Sequence, residues 1–211
     1  MARRKQSALG DISTRDKILN SAKKYFLECG FQAAPLRKIA TDAGFTSGAL
    51  YGYFDSKEDL FYSITNPVAE RLMMKLNEVR KEIDEIPDKD RLSSMGSAYY
   101  HHIPDIVEIL LSDRDAVKLI VTCSKGTKYE SFVESIASRN TVNIENAARK
   151  SGEDNIEVIK EETLAILMEE YITTLFRLVT SDRDKETIIN CMDMIGRVYE
   201  TGITNLMKKE K

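Results

Sequence analysis

Apolar residues recur along most of this 211-residue chain at intervals of three and four, the spacing of amphipathic helices. The apolar–polar alternation of a half-buried strand does not extend over a useful length anywhere in the sequence. The pattern therefore predicts an all-α fold. In the second part of the chain it predicts helices at about 90–103, 104–111, 113–150 (disturbed around 123–126), 155–180 and 184–208.

The N-terminal part begins its first helix at a capping box formed by Ser13 and Asp16. This helix should end near Cys29, with Gly30 as the residue that terminates it. A second capping box, Ser56 and Asp59, starts a long helix that runs to about residue 83. Pro67 should kink that helix or split off its first turns, because proline lacks an amide proton and clashes with the preceding turn.

Between these helices lies the segment LRKIATDAGFTSGALYGYFDSK, Leu36–Lys57. Its apolar positions predict two short helices with one small core, and Pro35 suits the first turn of the earlier one. Gly44 stands where the chain must reverse, and the Thr46 hydroxyl can cap the next helix. The outer side of that helix is slim and neutral, as a helix that enters the major groove of DNA can be. The segment is a helix-turn-helix at about residues 34–53.

Charge is distributed unevenly, although the net charge of the whole chain is only −3. Residues 1–57 carry ten lysines and arginines against five acids, and the remainder is acidic. This distribution predicts that only the N-terminal head meets nucleic acid. Arg3, Arg4 and Lys5 could follow a phosphate strand or enter a minor groove, and a solubilising tail is the equally acceptable alternative.

The cysteine spacing and the hydropathy of the sequence also indicate the cellular compartment of the protein. The three cysteines lie far apart and form neither a CxxC pair nor a zinc-binding spacing, which suits a reducing compartment. The basic N-terminus is not followed by the apolar run of a secretory signal, and no stretch has the length and apolarity of a membrane span. We therefore expect a cytoplasmic protein without membrane contact.

Residues 13–62 closely resemble the DNA-binding domain of the TetR family of bacterial regulators. The similarity is carried by Gly30-Phe31, Ile39-Ala40, Ala43-Gly44, Gly48, Leu50-Tyr51, Tyr53-Phe54 and Ser56-Lys57. It implies an all-α protein whose N-terminal three-helix helix-turn-helix domain, at 11–71, joins a larger helical domain for effector binding and dimerisation, at 72–211. In the family's pattern, Tyr53 donates its hydroxyl to a phosphate.

Within this motif, Arg37 could bridge phosphates or reach a guanine edge, and Lys57 opens a helix whose free amides favour an anion. Gly48 and Gly52 share one face, which suggests a close approach of the helix backbone to DNA. Each of these predictions has a structural alternative. Arg37 could be an ordinary solvated side chain, one of the tyrosines could pack in the core, and the two glycines could lie at unconstrained surface positions. The predicted DNA-contact residues are Arg37, Thr46, Ser47, Gly48, Tyr51, Gly52, Tyr53 and Lys57.

For the body, the resemblance implies a pocket for a small amphipathic or aromatic effector. Methionine and aromatic side chains suit adaptable pockets, although the same residues serve equally well as ordinary core. Adjacent histidines at 101 and 102 point about 100° apart on a helix, so they do not predict a metal site, and no cofactor is expected. The candidate pocket residues are Met73, Tyr99, His102, Cys123, Tyr129, Phe132, Met168 and Tyr171.

The last two predicted helices are apolar on more than one side, so each needs a partner beyond its own domain. Two copies packed as a four-helix bundle would provide that partner and would let two heads read a palindrome. We therefore expect a homodimeric repressor that binds a double-stranded DNA operator and is released by a small molecule. One alternative is a DNA-binding protein that takes no ligand. The other is an enzyme, although the sequence contains no recognisable catalytic motif.

Overall fold

The computed structural model describes residues 13–151 and 161–207. These ranges contain helices and no strand, as the hydrophobic pattern predicts. The helices are α1 (Thr14–Ala33), α2 (Leu36–Asp42), α3 (Ser47–Tyr51), α4 (Lys57–Glu85), α5 (Asp88–Leu111), α6 (Arg114–Thr122), α7 (Phe132–Ser151), α8 (Glu161–Val179) and α9 (Lys185–Met207).

Helix α1 begins as its sequence predicts, and the helix is interrupted at Gly30 as expected, but it resumes beyond the predicted end near Cys29 and continues to Ala33. The Ser13 hydroxyl accepts a hydrogen bond from the Asp16 amide at 3.1 Å and donates one to the Asp16 carboxylate at 2.7 Å. At Gly30 the backbone turns to φ 75° and ψ 167°, a conformation that strongly favours glycine. One further helical turn follows, and the kink frees the Phe31 amide from the helix ladder.

The head is the N-terminal unit formed by α1–α3 and the first turns of α4, which share one small hydrophobic core. Phe26 of α1 and Phe61 of α4 are fully buried, and their rings meet edge to face with centroids 5.1 Å apart. Ile39 and Leu50 bring α2 and α3 onto the same core. Since each of these side chains buries apolar surface worth about 1.5–3 kcal/mol, the orientation of the two short helices is determined by packing.

Two helices continue through prolines at which the sequence suggested a boundary. Pro67 lies inside α4, which continues unbroken to Glu85, so the expected detachment of its first turns does not occur. The predicted boundary at Pro104 is wrong, because α5 is one helix from Asp88 to Leu111. Apolar residues on both sides of Pro104, Ile103 and Ile106 among them, are buried and hold the helix together.

The sequence predicted one disturbed helix over 113–150, but the structure has two separate helices there, α6 and α7, joined by a loop. Gly126 has a φ of 84°, and the Ser124 hydroxyl donates to the carbonyl oxygens of Ile120 and Tyr129. This loop ends α6 at Thr122 and restarts the helix at Phe132.

Helix α5 is packed against several helices of the body, namely α4, α7 and α9. Its crossing with α9 is close at two glycines: a Cβ at Gly96 would collide with the Glu200 side chain, and one at Gly196 would collide with the Tyr100 ring. The Tyr100 hydroxyl donates to the Gly196 carbonyl oxygen across this crossing. Glycine at these positions lets α9 lie almost directly on α5.

Helix α6 connects the head to the body at both of its ends. At its start, the Asp113 carboxylate caps the helix and also forms an ion pair with Lys23 of α1, with the Lys23 Nζ and Asp113 Oδ2 atoms 2.9 Å apart. At its end, the Cys123 carbonyl oxygen accepts a 2.8 Å hydrogen bond from the Phe31 amide beside the Gly30 kink. The two contacts join α6 to α1 along most of the length of α6.

Candidate nucleic-acid interface and ligand cavity

The turn between α2 and α3 has the geometry that the sequence predicts. Gly44 takes a φ of 85°, and the Phe45 amide donates to the Ala40 carbonyl oxygen at 2.8 Å, which reverses the chain. The Thr46 hydroxyl then accepts a hydrogen bond from the Ala49 amide at 3.2 Å and begins α3. These local contacts present α3 on the surface, with only Leu50 of its five residues buried.

Several side chains of α2, of α3 and of the turns beside them are exposed. The Arg37 side chain is exposed and forms no hydrogen bond or ion pair with any residue the structure describes, and the same holds for its neighbour Lys38, which sequence reasoning did not select. Tyr51 is 54% exposed and Tyr53 is 50% exposed, so neither ring belongs to the head core. Ser47 is half-buried at the start of α3. We define Arg37, Lys38, Thr46, Gly48, Tyr51 and Tyr53 as the outer face of the head.

The two glycines near this face differ in their surroundings. A Cβ at Gly48 would have only the Thr46 hydroxyl near it, at 3.9 Å, so the space outside α3 is open there. Gly52 is the C-terminal cap of α3 rather than a residue inside it, and a Cβ there would lie 3.3 Å from the Ala49 carbonyl oxygen. A larger residue at Gly48 therefore tests the approach to DNA more cleanly than one at Gly52.

Lys57 is held by the head itself. Its ammonium donates to the Gln32 carbonyl oxygen at 2.9 Å and lies 5.2 Å from the centre of the Phe31 ring. Partial burial lowers the pKa of this ammonium below its ordinary value. Lys57 thus holds the end of α1 against the start of α4. The basic residues Arg3, Arg4 and Lys5 lie outside the described residues.

A cavity of about 120 Å³ lies in the body, where a single water needs only about 10–15 Å³. Helices α4, α5, α7, α8 and α9 all contribute to its wall, which is mainly aliphatic and aromatic. The lining residues are Leu72, Leu76, Leu92, Met95, Gly96, Tyr99, Tyr100, Ile103, Ile106, Ile136, Asn140, Ile144, Met168, Tyr171, Ile172, Leu175, Phe176, Tyr199, Glu200 and Ile203.

Of the eight pocket residues expected from sequence, Tyr99, Met168 and Tyr171 line this cavity. The other five lie elsewhere. Met73 borders a separate cleft of about 20 Å³.

Each of the remaining four expected residues has another position in the fold. His102 is buried against Glu82, with Nε2–Oε2 2.7 Å, and Cys123 ends α6. Tyr129 donates to the Asn66 side chain at 2.7 Å, and Phe132 packs on Phe176. These side chains hold helices together and do not border the cavity.

A few polar groups interrupt the apolar wall. The Tyr171 hydroxyl is buried and has no hydrogen-bond partner among the described residues, and burial raises the pKa of this phenol well above its ordinary value. The Tyr171 ring lies 5.4 Å from the Tyr199 ring. Glu200, whose position sequence reasoning missed, is the only charged lining residue in the described part of the chain.

An exposed apolar strip runs along the outside of α8 and α9. Met194 is 70% exposed and Val198 is 67% exposed on α9, and Ile166 on α8 is 55% exposed. The opposite sides of these helices are buried in the body, at Met168 and Met192 for example. Both helices are therefore apolar on two sides, as their sequence indicates.

Within the described ranges, no three His, Cys, Asp or Glu side chains are grouped so that they could hold a metal ion. None of the helices described is long and apolar enough to cross a membrane.

This is an all-α protein with a helix-turn-helix head on a helical body. Residues 18–64 match the family model for bacterial regulatory proteins of the tetR family. The chain is 47% identical over 51 residues to the HTH-type transcriptional repressor BepR of Brucella suis, a match that covers 24% of each protein. It is 37% identical over 118 residues to the HTH-type transcriptional repressor KstR2 of Rhodococcus jostii, a match that covers 56% of this chain and 57% of that protein.

These matches therefore span only about a quarter to somewhat over half of the curated relatives' own lengths. The whole fold is similar to that of a TetR-family transcriptional regulator from Bordetella parapertussis. The two share 15% identity with a TM-score of 0.59, over 88% of this chain and 93% of that one. Over residues 18–64 the chain is therefore similar to bacterial regulatory proteins of the tetR family, and both curated relatives are transcriptional repressors.

Proposed function

We propose that the protein is a homodimeric transcriptional repressor that binds a palindromic DNA operator and is released when a small molecule fills the body cavity. The observation that carries this proposal is that one continuous helix, α4, both packs in the head core and lines the cavity. Leu72 borders the cavity 15 positions beyond Lys57, about 22 Å along the helix axis.

The outer face of the head would meet DNA. Arg37 and Lys38 are free cations on this face, and a guanidinium can bond phosphate oxygens or the O6 and N7 atoms of guanine. The open space beside Gly48 lets the α3 backbone approach the groove, and the exposed Tyr51 and Tyr53 add hydroxyl groups that can contact the DNA. Thr46, Ser47, Gly52 and Lys57 complete the proposed contact set, with Lys57 acting mainly by holding the end of α1.

The exposed strip on α8 and α9 would form the dimer interface. Large apolar side chains that are half or more exposed on two neighbouring helices are costly in water and typical of a protein contact. Pairing the two helices with those of a second copy gives a four-helix bundle with an isologous interface. Such a dimer presents two heads to successive major grooves of one operator.

The cavity would be the effector site, which favours this reading over a DNA-binding protein without a ligand. A ligand can shift operator binding only by its difference in affinity for the two conformations, and such coupling is typically about 1–3 kcal/mol. The ligand would press on Leu72 and Leu76 of α4 and so alter the separation of the two heads. Effector release fails as a proposal if the bound and free proteins hold their heads at the same spacing.

The DNA-binding proposal is tested by selection from a randomised duplex pool, followed by fluorescence anisotropy on the selected sequence. We expect an inverted repeat and two protein chains per duplex. Arg37→Ala should weaken binding by about tenfold or more, the loss of one good contact. Lys81→Ala is the control, since Lys81 is an exposed lysine far along α4. Selection of no sequence, or equal effects of the two substitutions, would contradict the proposed interface.

A further inference from the structure

The charged and aromatic groups of the cavity point to the chemistry of its ligand. Of the lining residues in the described part of the chain, Glu200 is charged and none is a lysine, arginine or histidine. Four tyrosines, at 99, 100, 171 and 199, contribute rings to the same wall. The cavity therefore carries a negative charge and several electron-rich faces, with no positive side chain to balance them.

Glu200 is available to a ligand. Its carboxylate forms no hydrogen bond or ion pair with any residue the structure describes, and the cation one turn earlier, Arg197, is engaged with Asp193 at 3.0 Å. The side chain lies over Gly96, where any Cβ would collide with it. Glycine at this position thus leaves the space on α5 in which the carboxylate sits at the edge of the cavity.

Aromatic rings border the same region. Tyr171 and Tyr199 lie with their ring centroids 5.4 Å apart at an angle of 49°, and Tyr199 directly precedes Glu200 on α9. Tyr100 is held beside them by its hydrogen bond to the Gly196 carbonyl oxygen. A cation within about 6 Å of a tyrosine face is attracted by the ring quadrupole, and the attraction grows when water is excluded.

The rest of the cavity is apolar except at Asn140, whose side-chain oxygen accepts a hydrogen bond from the Tyr99 hydroxyl. Leu72, Leu76, Ile103, Leu175 and Phe176 offer no hydrogen-bonding side chain, so they suit an alkyl or aryl body. An anionic ligand would place its charge near an uncompensated carboxylate without a cation to pair it, which is strongly unfavourable in a largely buried site.

We infer that the cavity takes a lipophilic monovalent cation, whose positive group lies against Glu200 and the faces of Tyr100, Tyr171 and Tyr199, while its apolar body fills the remaining space. A quaternary ammonium with an alkyl chain is the simplest ligand of this class. The inference rests on the proposed function only where it makes this ligand the effector. Binding itself is independent of DNA.

Three probes with the same eight-carbon chain isolate the charge: octyltrimethylammonium, 1-octanol and octanoate. Their dissociation constants are measured by isothermal titration calorimetry on the full-length protein without DNA. We expect the cation to bind most tightly and octanoate to bind at least about tenfold more weakly, a difference of about 1.4 kcal/mol. A tighter octanoate or 1-octanol complex, or no binding of the cation, overturns the inference.

The Glu200→Gln variant locates the cation. It should weaken octyltrimethylammonium binding about tenfold and change 1-octanol binding less than about twofold, because the apolar body keeps its contacts. Glu134→Gln removes an equal charge from an exposed position on α7 and should alter none of the three constants. Equal effects of the two variants on the cation would overturn the assignment of Glu200, and the wild-type ranking remains decisive if Glu200→Gln does not fold.

The calorimetry and the operator experiments fail separately. If octanoate binds better than the cation, the ligand class is wrong, while repression relieved by some other molecule still stands. If the protein binds the cation but selects no DNA sequence, the regulatory proposal is wrong while the chemistry of the cavity stands.

Discussion

Replacing Tyr171 with phenylalanine should make the ligand-free protein more stable. The Tyr171 hydroxyl is buried without a partner among the described residues, and an unsatisfied buried polar group costs about 1–3 kcal/mol. Tyr171→Phe removes only that hydroxyl and keeps the ring contact with Tyr199. We expect the free energy of unfolding to rise by about 1–2 kcal/mol.

Tyr129→Phe is the matched control, because it removes the same atom from a satisfied position. The Tyr129 hydroxyl donates to the Asn66 side-chain oxygen at 2.7 Å. A typical intramolecular hydrogen bond contributes about 0.5–1.5 kcal/mol, so this variant should lose about that much stability. The same chemical change is thus expected to have opposite signs at two tyrosines of one protein.

Both variants are compared with the wild type by urea unfolding, followed by circular dichroism at one protein concentration because dimerisation would make the midpoint depend on concentration. For a chain of this size, about 1 kcal/mol corresponds to roughly 2–4 °C in melting temperature. A loss of stability in Tyr171→Phe comparable to that in Tyr129→Phe would refute the reasoning, because it would mean that the Tyr171 hydroxyl is satisfied.

Three further outcomes are expected. Burial raises the pKa of Tyr129 to about 12, so its contribution to stability is complete below about pH 10 and is lost as pH rises through about 12. The free energy of unfolding should therefore be lower at pH 11 than at pH 9, and Tyr129→Phe should reduce that difference. Gly48→Leu should leave the melting temperature unchanged or higher and weaken operator binding about tenfold or more; unchanged affinity in anisotropy would speak against a close approach of α3. Val198→Glu should convert the dimer to a monomer in sedimentation velocity, and a persistent dimer would exclude this strip as the interface.

The local features of this fold were readable from the sequence because their causes are local. The side chains of Ser13, Thr46 and Ser56 each accept a hydrogen bond from the amide three positions further along the chain, and this chemistry needs only the residues concerned. Gly30 and Gly44 have positive φ for the same kind of reason. The helix starts and the chain reversal at Gly44 could therefore be predicted from the sequence.

Proline gave the less reliable signal in this chain. A proline inside a helix costs about 3 kcal/mol or more, which predicts a boundary when only the neighbouring residues are considered. In α5 the buried residues Met95, Ile103, Ile106 and Leu110 lie on both sides of Pro104 and belong to one packed surface. Burial of several such side chains outweighs the missing hydrogen bond, and the sequence alone does not display that surface.

The cavity could be predicted only in kind. Residue type does not distinguish a methionine or tyrosine that borders empty space from one packed against a neighbour, because the difference depends on how each helix is rotated. Glu200 reaches the wall only because α9 crosses α5 at Gly96 and Gly196. A pair of glycines within two predicted helices was the one available sign of that crossing.

The attachment of α6 to α1 bears on whether the head could be exchanged between proteins of similar fold. One of its two contacts, Phe31 amide to Cys123 carbonyl, uses backbone atoms only, so almost any body could supply the acceptor. The other requires a lysine at position 23 and a carboxylate at position 113. A head grafted onto a foreign body would keep the Phe31 amide as a donor, but it would lose the ion pair unless Asp113 were transferred with it. Chimeric proteins built from this head should therefore carry Asp113 as part of the head, although it lies about 50 residues beyond the segment that matches the family model.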